Sequence, residues 1–239
     1  MREIAWFSCG AASAVAAYLA PQSELVYCDT GGEHPDNKRF LTDVETWLGK
    51  KVTVLRNEKY SDHMDVCKKT AYINGPSGAR CTVELKKVQR FKFQQPDDIH
   101  IFGYTVEERD RAKKFCASFP EVNAKFPLIE KGLTKENCIG LIKEVGIAVP
   151  QMYLLGFNNN NCIGCVKGGM GYWNNIRKHF PDQFNRMALI EREVGHSCIK
   201  GTFLDELDPN RGHEAKEPKI SCDFVCQSVL TPTLLKSEE

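Results

Sequence analysis

The sequence lacks the long apolar runs and the charge excess that would mark several classes of protein. No apolar run approaches the roughly 20 residues that a membrane-spanning helix needs. The opening residues do not show the charged-then-apolar pattern of a secretion signal. The formal net charge is only +1, from 32 basic and 31 acidic residues, so the chain has no overall positive charge that would favour binding to nucleic acid. These absences predict a cytoplasmic protein with no membrane partner, and they leave a local basic patch open.

What the chain does contain is a full hydrophobic complement and many cysteines. Its 239 residues are 42% hydrophobic, enough to bury a core, which predicts one compact domain with a C-terminal extension. Eleven cysteines are many for a reducing compartment, where disulfides are rare. Clustered thiols there more often bind metal or carry out redox chemistry, so their placement matters more than their number.

Short apolar runs alternate with helical patterns in the first half of the chain. Strands are predicted at residues 3–7, 25–28, 52–55 and 99–102. Helices are predicted at residues 11–19, 37–48, 82–93, 107–119, 134–145 and 184–194. The βαβαβ order predicts an α/β fold with a doubly wound parallel sheet. Residues 1–155 are assigned to this α/β domain, and residues 156–239 to a Cys-containing helical and irregular extension packed on it.

The first strand is followed by a run of small residues, Ser8-Cys9-Gly10-Ala11-Ala12-Ser13. Helix N-termini at such junctions attract anions through their exposed amides and dipole. Gly10 would let the backbone approach a phosphate, and the hydroxyls of Ser8 and Ser13 can donate to its oxygens. A tight strand-to-helix turn without a ligand is the alternative interpretation.

Two further segments point to the same edge of the predicted sheet. Asp29-Thr30-Gly31 ends the second strand, where an acid is placed to hold a ribose hydroxyl or a magnesium ion. Gly103 ends a later strand, and Arg109 and Arg111 follow it. Arginine pairs bidentately with phosphate and sulfate, although most helix arginines face water.

Cys162-Ile163-Gly164-Cys165 brings two thiols within reach of one metal centre. Gly164 permits the tight turn that a cluster or a zinc ion requires. The same spacing also serves thioredoxin-like redox chemistry, so free or redox-paired thiols stay open.

Further motifs keep a recognisable order along the chain. They are Ser8–Ser13, Asp29–Gly31 with Pro35, Cys81-Thr82 with Leu85-Lys86, Pro127-Leu128 with Thr134, and Pro150 and Tyr153 with Gly156 to Cys165. Together, over roughly residues 3–180, they resemble the phosphoadenylyl-sulfate (PAPS) reductase family of the adenine nucleotide α-hydrolase (PP-loop) fold. The resemblance implies a nucleotide partner, which is ATP, PAPS or adenylyl sulfate.

The resemblance also implies roles for individual residues. The nucleotide contacts it implies are Ser8, Cys9, Gly10, Ser13, Asp29, Thr30, Gly31, Gly103 and Arg109. The metal ligands it implies are Cys81, Cys162 and Cys165, with a fourth position that Cys222, Cys226 or Cys198 could close. A [4Fe–4S] cluster is the expected cofactor, zinc is the alternative, and Mg²⁺ would accompany ATP. Cys222 and Arg111 are the expected catalytic residues.

The sequence departs from the family pattern in the phosphate loop and at the C-terminus. Cys9 and Ala12 replace the second residue and the aspartate of the pyrophosphatase loop Ser-Gly-Gly-x-Asp-Ser. Arg80 stands in place of one cysteine of the adjacent pair that adenylyl-sulfate reductases carry. Ser221–Cys226 is the nearest counterpart of the reductases' Glu-Cys-Gly-Leu-His.

Three hypotheses follow from these departures. The first is an enzyme that adenylates an acceptor, a nucleic acid or a small molecule, and then transfers sulfur to it. The second is a sulfonucleotide reductase in which Cys222 attacks the sulfate sulfur and sulfite is released. The third is a non-catalytic nucleotide sensor with a structural metal site. The sequence leaves the acceptor, the electron donor and the oligomeric state open, a homodimer included.

Overall fold

A computed structural model describes residues 1–76, 78–212 and 220 of the chain. The strands are β1 (Glu3–Phe7), β2 (Glu24–Asp29), β3 (Val52–Arg56), β4 (Asn74–Gly75), β5 (Gly78–Ala79), β6 (Ile99–Ile101) and β7 (Asn123–Lys125). The helices are α1 (Ala11–Tyr18), α2 (Asn37–Leu48), α3 (His63–Thr70), α4 (Arg80–Thr82), α5 (Val88–Phe93), α6 (Arg109–Ser118), α7 (Pro127–Glu130), α8 (Lys135–Glu144), α9 (Gln151–Leu154), α10 (Met170–His179) and α11 (Pro181–Val194). A π-helical segment spans Val83–Lys87, and 3₁₀ turns span Val106–Glu108 and Leu204–Glu206.

The described residues divide into two compact units. The first comprises Met1–Asp62 and Val88–Ile163, and the second comprises the described parts of His63–Lys87 and of the chain from Gly164 onwards. The sequence analysis placed a single boundary after residue 155. The contacts instead assign α3, β4, β5 and α4 to the second unit, although they lie between elements of the first in the chain.

The first unit is built on a five-stranded sheet in the order β3-β2-β1-β6-β7. Every neighbouring pair in it is parallel. Ala5 at the centre of β1 lies opposite Leu25 on β2 and Ile101 on β6. The predicted doubly wound parallel sheet is therefore confirmed at the level of an all-parallel α/β fold.

Alternate residues of β1 face opposite layers of helices, as the two-residue period of a strand requires. Ala5 and Phe7 belong to an apolar core that includes Val15 of α1, Phe40 of α2 and Ile142 of α8. Alanine-rich α1 can approach the sheet closely because its buried side chains are small. This packing fixes the start of α1 at the end of β1.

The opposite face of the sheet is covered through aromatic contacts. Trp6 stacks on His100 of β6, with ring centroids 5.9 Å apart, and its indole Nε1 donates to His100 Nδ1 at 2.9 Å. Trp6 also meets Phe93 of α5 edge-on. Phe102 packs on Phe115 of α6, with centroids 4.9 Å apart. Helices thus cover both faces of the sheet.

The second unit is helical around a buried tryptophan. Trp173 of α10 is fully buried and meets Phe184 of α11 edge-on. Tyr172 is also buried, so both aromatic side chains belong to the core of this unit. Helix α11 begins with Pro181 at its first position and ends before Gly195, whose φ is +72°.

No helix among the described residues is both long enough and apolar enough to cross a membrane.

Candidate functional site

The sheet order places a crevice in the first unit between the carboxyl ends of β1 and β6. The chain runs from β1 towards β2 and β3 on one side, and β6 and β7 lie on the other. Open α/β sheets bind ligands at such a switch point, where the two loops diverge. The loops that follow β1 and β6 carry Ser8–Gly10 and Gly103, which the sequence analysis assigned to the nucleotide.

The turn after β1 is closed by the hydroxyl of Ser13. Its Oγ accepts the Ser8 N–H at 3.0 Å and the Ser8 hydroxyl at 3.1 Å, and it donates to the Gly10 carbonyl at 2.9 Å. Ser13 is buried and Ser8 is exposed. Ser13 therefore shapes the turn, and Ser8 is the hydroxyl that solvent or a ligand can reach.

Cys9 adopts a left-handed backbone conformation inside this turn. Its φ is +53°, which is unusual for a residue with a side chain. A cysteine thus occupies a backbone conformation that glycine adopts without steric cost. The Asn160 side chain donates to the Cys9 carbonyl at 2.6 Å, and the Cys9 thiol lies 4.0 Å from the Asn37 carbonyl. Long-range contacts thus hold a conformation that the local sequence disfavours.

Asn37 and Asn160 form a buried amide pair beneath the turn. The Asn160 Nδ2 donates to Asn37 Oδ1 at 2.7 Å as well as to Cys9. Within the described residues, Asn37 Nδ2 and Asn160 Oδ1 have no hydrogen-bond partner. Buried polar atoms in that state indicate a water or a ligand atom at the site. The sequence analysis missed this pair, and its only signal was the run of four asparagines before Cys162.

Gly103 presses against the first turn of α1. A Cβ at Gly103 would lie 2.7 Å from both the Ser13 N and Cα atoms, and 2.9 Å from the Ala12 carbonyl carbon. Because these are backbone atoms, no side-chain movement can relieve the contact. A glycine is therefore required for the loop after β6 to close on the turn after β1.

Asp29 is engaged by its own neighbours. Its Oδ1 accepts the Gly31 N–H at 2.8 Å, and its Oδ2 accepts from Arg56 at 3.0 Å. Gly31 has a φ of +67°, and a Cβ there would lie 2.0 Å from the Ser61 carbonyl oxygen. The Asp29–Gly31 segment is thus a preformed loop, and Asp29 would have to share its oxygens to bind a ribose or Mg²⁺.

Cys162 lies at the same edge of the sheet. Its Sγ is 3.1 Å from the hydroxyl of buried Thr30, and the next residue, Ile163, donates its N–H to the Gly32 carbonyl at 2.8 Å. Both partners belong to the loop after β2. The structure therefore brings the Cys162 thiol to the loop that carries the predicted ribose contacts.

None of the other predicted metal ligands belongs to the described part of the first unit. Cys81, in α4, and Cys165 are buried residues of the second unit, and Cys222 lies outside the described residues. The Cys165 N–H donates to the Tyr172 hydroxyl at 2.8 Å. Among residues 1–76, 78–212 and 220, no three cysteine, histidine or acidic side chains are arranged to hold a metal ion.

The second unit contains a buried group of thiols that the sequence analysis only partly anticipated. Glu191 is fully buried and accepts the N–H groups of Cys198 at 2.5 Å and of Leu204 at 2.6 Å. Burial raises the pKa of the Cys198 thiol well above its usual value, and the nearby Glu191, Cys67 and Cys165 raise it further. Cys67 precedes Cys198 by 131 residues, so sequence spacing does not reveal that the two thiols are close to each other.

The two predicted arginines occupy different positions around α6. Arg111 forms an ion pair with Glu108, and its guanidinium lies 4.4 Å from the centre of the Tyr104 ring. Arg109 is exposed and lines a groove of about 410 Å³ that Phe126, Ile129 and Cys116 also line. Neither placement tests the predicted role.

No family model matches this sequence, and no curated protein matches it either. The fold alone sets the class. The protein is an α/β protein with a five-stranded, all-parallel central sheet flanked by helices, compatible with a Rossmann-like fold.

Proposed function

We propose that this chain is an adenine-nucleotide-binding enzyme of the PAPS reductase family that carries out sulfur chemistry on an adenylated compound. One observation carries the proposal. Within the first unit, the Ser8–Ser13 turn, closed by Gly103, follows β1, and the Cys162 thiol contacts the loop that follows the neighbouring strand β2. A nucleotide site and a sulfur nucleophile at one sheet edge are the two parts that such chemistry needs.

The turn after β1 would take the phosphates. The Ser8 hydroxyl and the amides at the start of α1 offer donors to anionic oxygens, and Gly103 lets the loop after β6 pack closely against the first turn of α1. The loop after β2 would face the ribose. Replacement of the family's loop aspartate by Ala12 removes one oxygen ligand for a magnesium ion. Binding is therefore expected to survive better than rapid ATP cleavage does.

Cys162 is the thiol that we assign to sulfur chemistry in the described residues. Its contact with the Thr30 hydroxyl orients Sγ, and a hydroxyl that donates to a thiolate stabilises the reactive form. In the favoured reaction, an acceptor oxygen displaces pyrophosphate from ATP, and a sulfur nucleophile then displaces AMP from the adenylated acceptor. The acceptor would be a nucleic acid or a small molecule.

Sulfonucleotide reduction is the second candidate, and the same thiol favours it. A thiolate at this edge would attack the sulfate sulfur of PAPS or adenylyl sulfate, which expels the nucleotide and leaves a cysteine S-sulfonate. A second thiol would then attack the cysteine sulfur, forming a disulfide and releasing sulfite. The predicted nucleophile Cys222 lies outside the described residues. Cys162 is therefore the thiol that we assign to either reaction.

The [4Fe–4S] cluster stays a prediction. The described thiols do not form a metal-binding group. Anaerobic purification followed by iron, zinc and acid-labile sulfide analysis would separate the cluster, the zinc alternative and free thiols. The variants Cys81→Ser and Cys165→Ser should lower the metal content if these residues are ligands.

Product analysis tests the reaction. The anaerobic, reduced protein is incubated with ATP together with candidate nucleic-acid and small-molecule acceptors, or with PAPS, and pyrophosphate and sulfite are measured. Pyrophosphate with ATP supports adenylation, and sulfite with PAPS supports the reductase. Cys162→Ser should abolish sulfur chemistry, whereas Cys116→Ser, at an exposed position on α6, should not. Nucleotide binding without either product would refute the enzyme and favour a sensor.

A further inference from the structure

Two side chains that the sequence analysis did not assign to a site lie beside the turn after β1. Tyr153 belongs to α9, and its hydroxyl oxygen would be 3.2 Å from a Cβ at Gly10. Gly10 directly precedes α1, so this hydroxyl lies beside the first turn of that helix. Tyr153 therefore reaches the amides that would face an anion.

Lys135 brings a positive charge to the same place. It is the first residue of α8, and its ammonium lies 5.3 Å from the centre of the Tyr153 ring. It donates to Asn159 Oδ1 at 2.9 Å. Burial lowers the pKa of Lys135, and the charges of Glu108 and Glu107 oppose that shift. A partly buried ammonium gains more from a bound anion than an exposed one, because less water screens it.

The buried amides below the turn point independently to a ligand atom. Asn37 is 95% buried, and its Nδ2 is a donor with no acceptor in the described part of the chain. It contacts Asn160, which holds the Cys9 carbonyl. Within the described residues, this amide pair therefore leaves one donor, Asn37 Nδ2, and one acceptor, Asn160 Oδ1, for a water or ligand atom beside the turn.

We propose that Tyr153 and Lys135 bind the tetrahedral oxyanion of the ligand, a phosphate or a sulfate group. The hydroxyl acts by hydrogen bonding and the ammonium by charge. This inference rests on the proposed function for the identity of the nucleotide, but not for the anion. Burial raises the pKa of Tyr153 to about 12, so its hydroxyl is protonated and able to donate at neutral pH.

Calorimetric titration with ATP and with adenosine separates the anion contact from the rest of the ligand. Lys135→Met should weaken ATP about ten- to a hundredfold, as expected for loss of a charge-assisted contact, and leave adenosine unchanged. Lys135→Arg should keep most of the affinity. Lys143→Met, an exposed lysine of the same helix, is the matched control and should have no effect.

A second variant covers the case in which Lys135→Met does not fold, as judged by circular dichroism. Tyr153→Phe keeps the ring and removes the hydroxyl, and should weaken ATP about three- to tenfold. Tyr18→Phe, at the exposed end of α1, is its control. Equal losses for ATP and adenosine, or no loss in either variant, would overturn the inference.

Titration with inorganic pyrophosphate and with sulfate separates this inference from the proposed function. If the wild-type chain binds neither ATP nor adenosine, the proposed function fails. Pyrophosphate or sulfate binding that depends on Lys135 would then still support the oxyanion site. Absence of binding by both ions would overturn it.

Discussion

Gly103→Ala is the substitution for which the structure gives the clearest physical expectation. The added methyl would lie 2.7 Å from two backbone atoms of Ser13 and 2.9 Å from the Ala12 carbonyl carbon. Real Cβ atoms do not approach that closely, so the loop after β6 or the first turn of α1 must move. Overpacking of this kind costs about 1–3 kcal/mol of unfolding free energy. For a chain of this size, that corresponds to a decrease in Tm of roughly 2–12 °C.

Gly140→Ala is the matched control, and the opposite sign is expected. Gly140 lies inside α8, and a Cβ there meets nothing within 4 Å. Neither glycine has a left-handed φ, so backbone strain does not enter the comparison. Alanine in a helix interior stabilises by roughly 0.5–1 kcal/mol relative to glycine.

Urea unfolding of the two variants decides the question, and ATP titration adds a second measurement. Gly103→Ala should be less stable and should bind ATP more weakly, because the displaced turn carries the phosphate contacts. Gly140→Ala should be more stable and bind ATP as the wild type does. Equal stability of Gly103→Ala and the wild type would refute the reasoning about close packing at the crevice.

Three further predictions concern the first unit. Burial, assisted by the charge of Arg90, lowers the pKa of His100 from 6.5 to about 4, so the unfolded chain takes up a proton first as the pH falls. About 3 kcal/mol of unfolding free energy should therefore be lost between pH 6.5 and pH 4. Urea unfolding at several pH values should show that His100→Gln removes this pH dependence and that the control variant, exposed His196→Gln, retains it. Asn160→Ala removes two buried hydrogen bonds and should destabilise the chain by about 2–4 kcal/mol, against less than about 0.5 kcal/mol for exposed Asn158→Ala; similar unfolding midpoints for the two variants would contradict the role of the amide pair. Among the nine described cysteines, exposed Cys116 should react first with iodoacetamide; peptide mass spectrometry showing earlier modification of buried Cys138 would contradict that exposure.

The regular elements that the sequence predicts well are those with strong local signals. β1 and α2 have their predicted bounds, because one is a continuous apolar run and the other is an amphipathic helix that ends before Gly49. The helix predicted at residues 82–93 is instead divided into α4, a π-helical segment and α5. Apolar spacing continues across such a segment, so periodicity cannot reveal it. β7, α7 and α9 are too short to produce a periodic signal.

The candidate site also contains residues that the sequence indicates and residues that only the structure reveals. The Ser8–Ser13 turn and Gly103 are visible in the sequence because they follow strands at a sheet edge. Asn37 and Asn160 are not, because 123 residues separate them and their pairing depends on the tertiary fold. The left-handed conformation of Cys9 is hidden for the same reason, since a cysteine does not ordinarily mark such a position.

The Asn160 side chain joins the turn after β1 to the segment that carries Cys162. The side-chain amide of Asn160 donates to the Cys9 carbonyl and to Asn37 Oδ1. Cys162 follows Asn160 by two residues. We therefore expect a ligand that displaces the Cys9 peptide to shift Asn160 and, two residues later, the Cys162 thiol. Occupancy of the turn then becomes measurable as a change in the alkylation rate of that sulfur, a readout that requires no turnover.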